Sequence, residues 1–189
     1  MKVALTGGIA CGKSLLSRYL NENGVETLDA DDVVHELLPD PAERRRIAAE
    51  VFADPAKRRA LEARLHPLVK ARLDAWLASP PGRGRSGPAL RLAVVPLLFE
   101  VRWERNFDII CAVVSSRENQ ISRLTATRGM THAEAEARLA AQLPAEEKAR
   151  RSHYVIRNDG SADELRSEAV RFVGYLRRTI EKESTRTVS

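Results

Sequence analysis

Cysteine is scarce: Cys11 and Cys111 are the two in 189 residues, and they form no C-x-x-C pair. A disulfide framework and a zinc ribbon are excluded, and a reducing compartment is the default setting. Aromatic residues amount to 5%, too few to interleave with basic side chains as nucleic-acid readers require. His35, His132 and His153 show no metal-ligand spacing, so no metal site built from protein side chains is expected. No apolar stretch approaches the roughly 20 residues that span a bilayer. The short apolar run after Lys2 is cut by Gly7, Gly8, Gly12 and Lys13, which excludes a signal peptide. Lysine is also sparse: six lysines leave 25 of the 31 basic residues as arginine, the better fork for phosphate or carboxylate. A soluble cytoplasmic protein with an anionic partner is expected.

What is present suits one compact core. The length of 189 residues and 43% apolar content exclude fibrous and disordered classes, and the net charge of +5 is modest. Lys2 to Thr6 is an apolar run that ends in glycines, and Leu15, Leu16, Tyr19 and Leu20 follow at helical spacing, closed by Gly24. Val25 to Leu28, Leu90 to Val95, Ile109 to Val114 and, more weakly, Tyr154 to Ile156 read as further strands. Strands alternating with helices predict an α/β fold around a parallel sheet. Two segments depart from this alternation. Residues 40 to 78 read as helical, with Pro55 and Pro67 as breaks, followed by a loop-like Ser79 to Pro88. Residues 116 to 150 are helical, highly charged and poor in large apolar side chains, the composition of a weakly packed lid. The tail from Lys182 to Ser189 is expected to fray.

Gly7 to Ser14 fits G-x-x-x-x-G-K-[ST] at every fixed position. Glycines permit a backbone whose successive N–H groups converge on phosphate oxygens, and the helix that follows adds its positive end. In such a loop Lys13 bridges β- and γ-phosphate and the Ser14 hydroxyl holds Mg²⁺ that arrives with ATP. Cys11 contributes a backbone N–H, although a thiol beside Lys13 and a helix N-terminus could also be acidified and open to oxidation.

Asp29, Asp31 and Asp32 follow the second strand, whose carboxyl end belongs on the same edge of the sheet as the phosphate loop. One of them could accept a hydroxyl proton in phosphoryl transfer or support magnesium. All three equally suit the cap of a helix beginning near Val33, and the pattern leaves both readings open. No Walker-B aspartate follows the Leu90 to Val95 strand; Asp31 or Glu100 could fill its place.

Taken in order, Thr6-Gly7-Gly8-Ile9 with the phosphate loop, Leu28-Asp29-Ala30-Asp31, Leu65-His66-Pro67-Leu68, Val95 to Glu100 and Asn158-Asp159-Gly160 resemble the dephospho-coenzyme A kinase family from Lys2 to about Val173. The resemblance implies a three-layer phosphate-loop fold with a five-stranded parallel sheet in the order 2-3-1-4-5. It implies transfer of the ATP γ-phosphate to the ribose 3′-hydroxyl of dephospho-CoA, the last step of coenzyme A synthesis. Residues 1–30, 89–115 and 151–180 would form the nucleotide-binding core, 31–88 the acceptor region and 116–150 the lid. Asp31 matches the base for the 3′-hydroxyl, acting with Lys13 and Arg138. Gly8, the stretch Ala10, Cys11, Gly12, Lys13, Ser14 and Leu15, and the turn Asn158 to Gly160 match the ATP side. His66, Pro96, Leu97, Leu98 and Glu100 match the acceptor side, and Arg123, Arg128, Arg138 and Gln142 the lid. The partners implied are ATP with Mg²⁺ and dephospho-CoA, with no nucleic acid and no membrane, and a monomer is the expected state.

This sequence also departs from the family pattern. Ala10-Cys11 stands where Gly-Ser is common and Leu15 where Thr is common; backbone N–H donation survives these changes. Between Val34 and Val51 a longer stretch is missing, which shortens the acceptor region. The competing readings are another phosphate-loop kinase of a nucleotide or small metabolite, and a nucleotide switch or nucleic-acid ATPase suggested by clusters such as Arg44-Arg45-Arg46. Asn158-Asp159-Gly160 is not the Asn-Lys-x-Asp element that guanine recognition uses.

Overall fold

The computed structural model describes residues 1–80, 83–84, 87–88 and 90–187. In chain order the elements are β1 (Val3–Gly7), α1 (Lys13–Glu22), β2 (Val25–Asp29), α2 (Ala30–Leu37), α3 (Pro41–Ala53), α4 (Pro55–Ala78), β3 (Arg83–Gly84) and β4 (Gly87–Pro88). They continue with β5 (Leu90–Val94), β6 (Ile109–Val114), α5 (Arg117–Arg128), α6 (His132–Ala140), α7 (Ala145–Arg150), β7 (Tyr154–Arg157) and α8 (Ala162–Thr187). The chain forms two compact units, Met1–Thr27 with Pro81–Ser189, and Leu28–Pro80.

The sheet unit carries five strands in the order β2-β5-β1-β6-β7. Counting only these strands, the order is 2-3-1-4-5, as the family resemblance implied. β1 runs parallel to β5, with Val3 beside Leu92, and parallel to β6, with Gly7 beside Val113; β7 extends the sheet beyond β6. Every residue of β1 and β6 is buried, because a strand in the middle of a parallel sheet has a helical layer on each face. Side chains alternate between those layers. Ile109, Cys111 and Val113 join Leu16, Leu20, Phe172 and Leu176 of α1 and α8, whereas Ala112 and Val114 meet Ala149 of α7. α1 ends at Glu22, and Gly24 at φ 81 occupies the left-handed position that stops a helix.

The helical unit differs from the sequence expectation in two places. α2 begins at Ala30, earlier than Val33, because Asp29 is its N-cap and accepts the Asp31 N–H at 2.9 Å. Pro55 does start a helix, at its first position after the Asp54 cap, but Pro67 lies inside the 24-residue α4 without ending it. Proline removes one i→i−4 hydrogen bond. Leu65, Val69 and Leu73 are buried at four-residue spacing across the site, and that stripe holds the turns on either side of Pro67 together.

Three further expectations are amended. The Ser79 to Pro88 loop contains a minimal antiparallel pair, with Arg83 beside Pro88; residues 81, 82, 85, 86 and 89 lie outside the described residues. α8 continues through the supposed frayed tail to Thr187, and 188 and 189 lie outside the described residues. Weak packing over 116 to 150 does not hold for α7, which lies against β6 and β1 with Lys148 and Ala149 buried.

Candidate active site

The phosphate loop joins β1 to α1, and its shape is set by three residues at positive φ: Gly7 at 153°, Ala10 at 58° and Gly12 at 94°. A Cβ on Gly7 would stand 2.2 Å from the Val113 carbonyl oxygen, and one on Gly12 2.2 Å from the Asn158 amide nitrogen. Glycine is required at both. Ala10 holds a left-handed conformation that costs an alanine about 1 kcal/mol, so the departure from glycine at this position does more than preserve an N–H.

Three successive carbonyls of the loop are held by side chains distant in sequence. Ile9 O accepts from Gln120 Nε2 at 2.7 Å, Ala10 O from an Arg123 guanidinium nitrogen at 3.1 Å and Cys11 O from Asn158 Nδ2 at 2.9 Å. No cis peptide occurs among the described residues, so the N–H in the same peptide unit as each tethered carbonyl points in the opposite direction. That turns the N–H groups of Ala10, Cys11 and Gly12 away from Gln120, Arg123 and Asn158; Cys11 N–H also makes a long contact to Gly8 O at 3.4 Å. The Ile9 N–H is engaged instead by Gln142 Oε1 at 3.0 Å. Lys13 is the first residue of α1, and its Nζ arches back over the loop to Gly7 O at 3.0 Å and Gly8 O at 2.8 Å. The first turn of α1 has no acidic residue, leaving the positive helix end uncompensated on the same side. Ser14 is exposed, while Leu15 packs its side chain against the core.

The struts are themselves braced. Arg123 also donates to Ser115 Oγ at 3.2 Å and Asn158 O at 2.7 Å. Asp159 accepts from Ser115 Oγ and the Ser116 N–H, both at 2.7 Å, and from Asn119 Nδ2 at 2.9 Å. The Ser116 N–H foremost holds the Asp159 carboxyl well below the usual range, at about 2. Gly160 is exposed beside this turn. Cys11 is fully buried with its sulfur 3.2 Å from Gln120 Nε2, and burial raises its pKa more than Lys13 and Arg123 lower it. The acidified, oxidation-prone thiol suggested by sequence is therefore corrected to a buried, protonated one.

After β5, the Pro96 carbonyl accepts from Thr6 Oγ1 at 3.2 Å and Lys148 Nζ at 2.8 Å. Leu98 is buried and Leu97 exposed. Glu100 Oε1 pairs with Lys148 at 2.8 Å and accepts the Leu143 N–H at 3.0 Å. Arg128 and Arg138 are exposed on α5 and α6, and Arg117 pairs with Glu136 to join those two helices. Arg123 and Gln142, grouped with them by sequence, point inward to the loop.

In the helical unit, Asp31 is exposed in the first turn of α2, and half-buried His66 lies on α4, the helix that packs against α2. Asp29 is occupied as the helix cap, so of the acidic cluster Asp31 and Asp32 carry solvent-facing carboxylates.

The model of the family described as dephospho-CoA kinase matches residues 1–43 and 41–164. The chain belongs to the dephospho-CoA kinase family. The dephospho-CoA kinase of Symbiobacterium thermophilum is 40% identical over 187 residues, covering 88% of this chain and 77% of that relative. The one from Synechococcus sp. is 37% identical and covers 91% of each. The crystal structure of TT1252 from Thermus thermophilus superposes with a TM-score of 0.74 at 31% identity, covering 93% of this chain and 97% of that one. Shikimate kinase from Acinetobacter baumannii shares the fold alone, with a TM-score of 0.61 at 16% identity over 94% of this chain and 93% of its own.

Among the described residues no three His, Cys, Asp or Glu side chains cluster as metal ligands. One hydroxyl, Ser14, stands at the start of α1, a donor set that fits a hard divalent ion carried in by phosphates and water. Sequence reasoning missed Gln120 and Lys148. Gln120 lies in a polar helix and Lys148 in the run Glu146-Glu147-Lys148, so local pattern assigns both to a solvated face.

Proposed function

We propose that this dephospho-CoA kinase family member transfers the γ-phosphoryl group of ATP to the ribose 3′-hydroxyl of dephospho-CoA, giving coenzyme A and ADP. The observation that carries the reading is the loop at Gly7 to Ser14, with three successive carbonyls tied back by Gln120, Arg123 and Asn158, in a chain of this family.

The loop N–H groups and Lys13 bind the β- and γ-phosphates. Ser14, with phosphates and water, would hold Mg²⁺, which would supply charge neutralisation on the transferring group when bound. Asp31 accepts the proton of the 3′-hydroxyl. That oxygen bonds to γ-phosphorus as the bond from γ-phosphorus to the bridging oxygen breaks, and ADP leaves with the electron pair. Exposed Arg128 and Arg138 offset charge on the transferring phosphoryl group and exclude water when the lid closes. His66, Leu97 and the backbone around Pro96 serve the acceptor; Asn158 and Gly160 border the nucleotide. Glu100 is engaged by Lys148 and Leu143, whereas the Asp31 carboxylate is exposed. The two cysteines are buried, and no helix among the described residues is long and apolar enough to cross a membrane.

An ADP-release assay across acceptors tests the reading. ADP release stimulated by dephospho-CoA, and not by shikimate or AMP, is expected. Turnover with shikimate or a nucleotide but none with dephospho-CoA would overturn it and leave a different small-molecule kinase.

A further inference from the structure

Lys148 belongs to no motif, yet its side chain is completely buried. A buried ammonium is costly unless its donors are matched, and a buried ion pair seldom stabilises more than an apolar side chain of the same size. What the pair supplies is fixed geometry. Nζ reaches both ends of the loop after β5, Pro96 O at 2.8 Å and Glu100 Oε1 at 2.8 Å. The same Glu100 oxygen accepts the Leu143 N–H at 3.0 Å, and the neighbouring Gln142 accepts the Ile9 N–H at 3.0 Å. On the other side, Pro96 O also accepts from Thr6 Oγ1 at 3.2 Å, one residue before the phosphate loop begins. The contacts close a ring from Thr6 through Ile9, Gln142, Leu143, Glu100, Lys148 and Pro96 back to Thr6.

We propose that Lys148 is a positioning residue for phosphoryl transfer: as the cation in this ring, it fixes the Pro96 to Glu100 loop against the phosphate loop. The inference rests on the proposed function, in which Pro96 to Glu100 serves the acceptor. Removing the ammonium leaves Glu100 without its cation and Pro96 O with the Thr6 hydroxyl alone, and loosens through Glu100 the hold on Leu143 and Gln142. A displacement of about an ångström between reacting groups can cost a hundredfold in rate.

The test is steady-state kinetics on Lys148→Met, Glu100→Gln, the double variant and Lys148→Arg, each at a temperature where circular dichroism shows it folded. Lys148→Met and Glu100→Gln are each expected to lower kcat about tenfold or more and to raise the KM for dephospho-CoA. The double variant should lose no more than the worse single variant, since both break one ring, and Lys148→Arg should recover part of the loss. A merely structural lysine would lower Tm and leave kcat and KM of the folded enzyme parental; that result, or additive losses in the double variant, overturns the proposal. If Lys148→Met does not fold, parental kinetics in Glu100→Gln overturns it alone. Failure of the parent enzyme to use dephospho-CoA would instead refute the proposed function, and the same variants assayed on the acceptor it does use would still test Lys148.

Discussion

In the sheet unit Arg123 turns its guanidinium inward onto Ala10, Ser115 and Asn158, whereas in the helical unit Arg58 and Arg72 reach outward to Glu62 and Glu36 in water. The same residue type serves opposite ends. Inward, the charge is partly shielded from solvent and each hydrogen bond fixes a backbone carbonyl. Outward, side chains about half exposed gain little from pairing. Apolar burial differs in the same sense: the sheet unit has a continuous core between two helical layers, while the helical unit relies on a stripe such as Leu65, Val69 and Leu73. Phosphate chemistry needs donors held within a few tenths of an ångström, and the braced unit carries them.

Breaking the braced side should have the largest effect. Lys13→Ala removes the cation over the loop, and kcat/KM is expected to fall about a thousandfold in the ADP-release assay with the fold intact. Arg123→Ala deletes three hydrogen bonds and is expected to cost about 3 kcal/mol in urea unfolding; Arg72→Ala in the helical unit, measured the same way, should stay within about 0.5 kcal/mol.

A pH series sharpens the contrast further. The folded pKa of Asp159 is depressed to about 2, so its stabilisation is complete above its unfolded value near pH 4 and is lost as pH falls toward 2. Because the residue is exposed, the contribution is about 1 kcal/mol after solvent screening. Asp159→Asn should show that deficit at pH 7 in urea titrations, shrinking as pH falls through about 2. The smallest effect belongs to the exposed Lys57–Glu50 pair: Lys57→Gln should shift unfolding by less than about 0.5 kcal/mol.

Much of the sheet unit was legible in the sequence, for a physical reason. Strands buried on both faces must be continuously apolar, so Ile109 to Val114 could be bounded to the residue, and the glycine and lysine spacing of the phosphate loop reflects local backbone geometry. The bracing was not legible. Gln120, Arg123 and Lys148 sit in polar helices and act on carbonyls some 50 to 110 positions away, which no local periodicity encodes. Burial of Cys11 went unseen for the same reason, since α5 and the core supply it. Pro67 misled in the other direction: its local rule is sound, but the buried stripe around it carries the helix through.

Asp31 offers the most direct test of the proposed function, in which the phosphate loop holds ATP and Asp31 accepts the hydroxyl proton. Asp31→Asn should reduce kcat for dephospho-CoA phosphorylation by about 10²- to 10⁴-fold, while the Kd for ATP measured by calorimetry stays within about threefold of the parent. Near-parental turnover, or loss of ATP binding in step with kcat, would contradict the account.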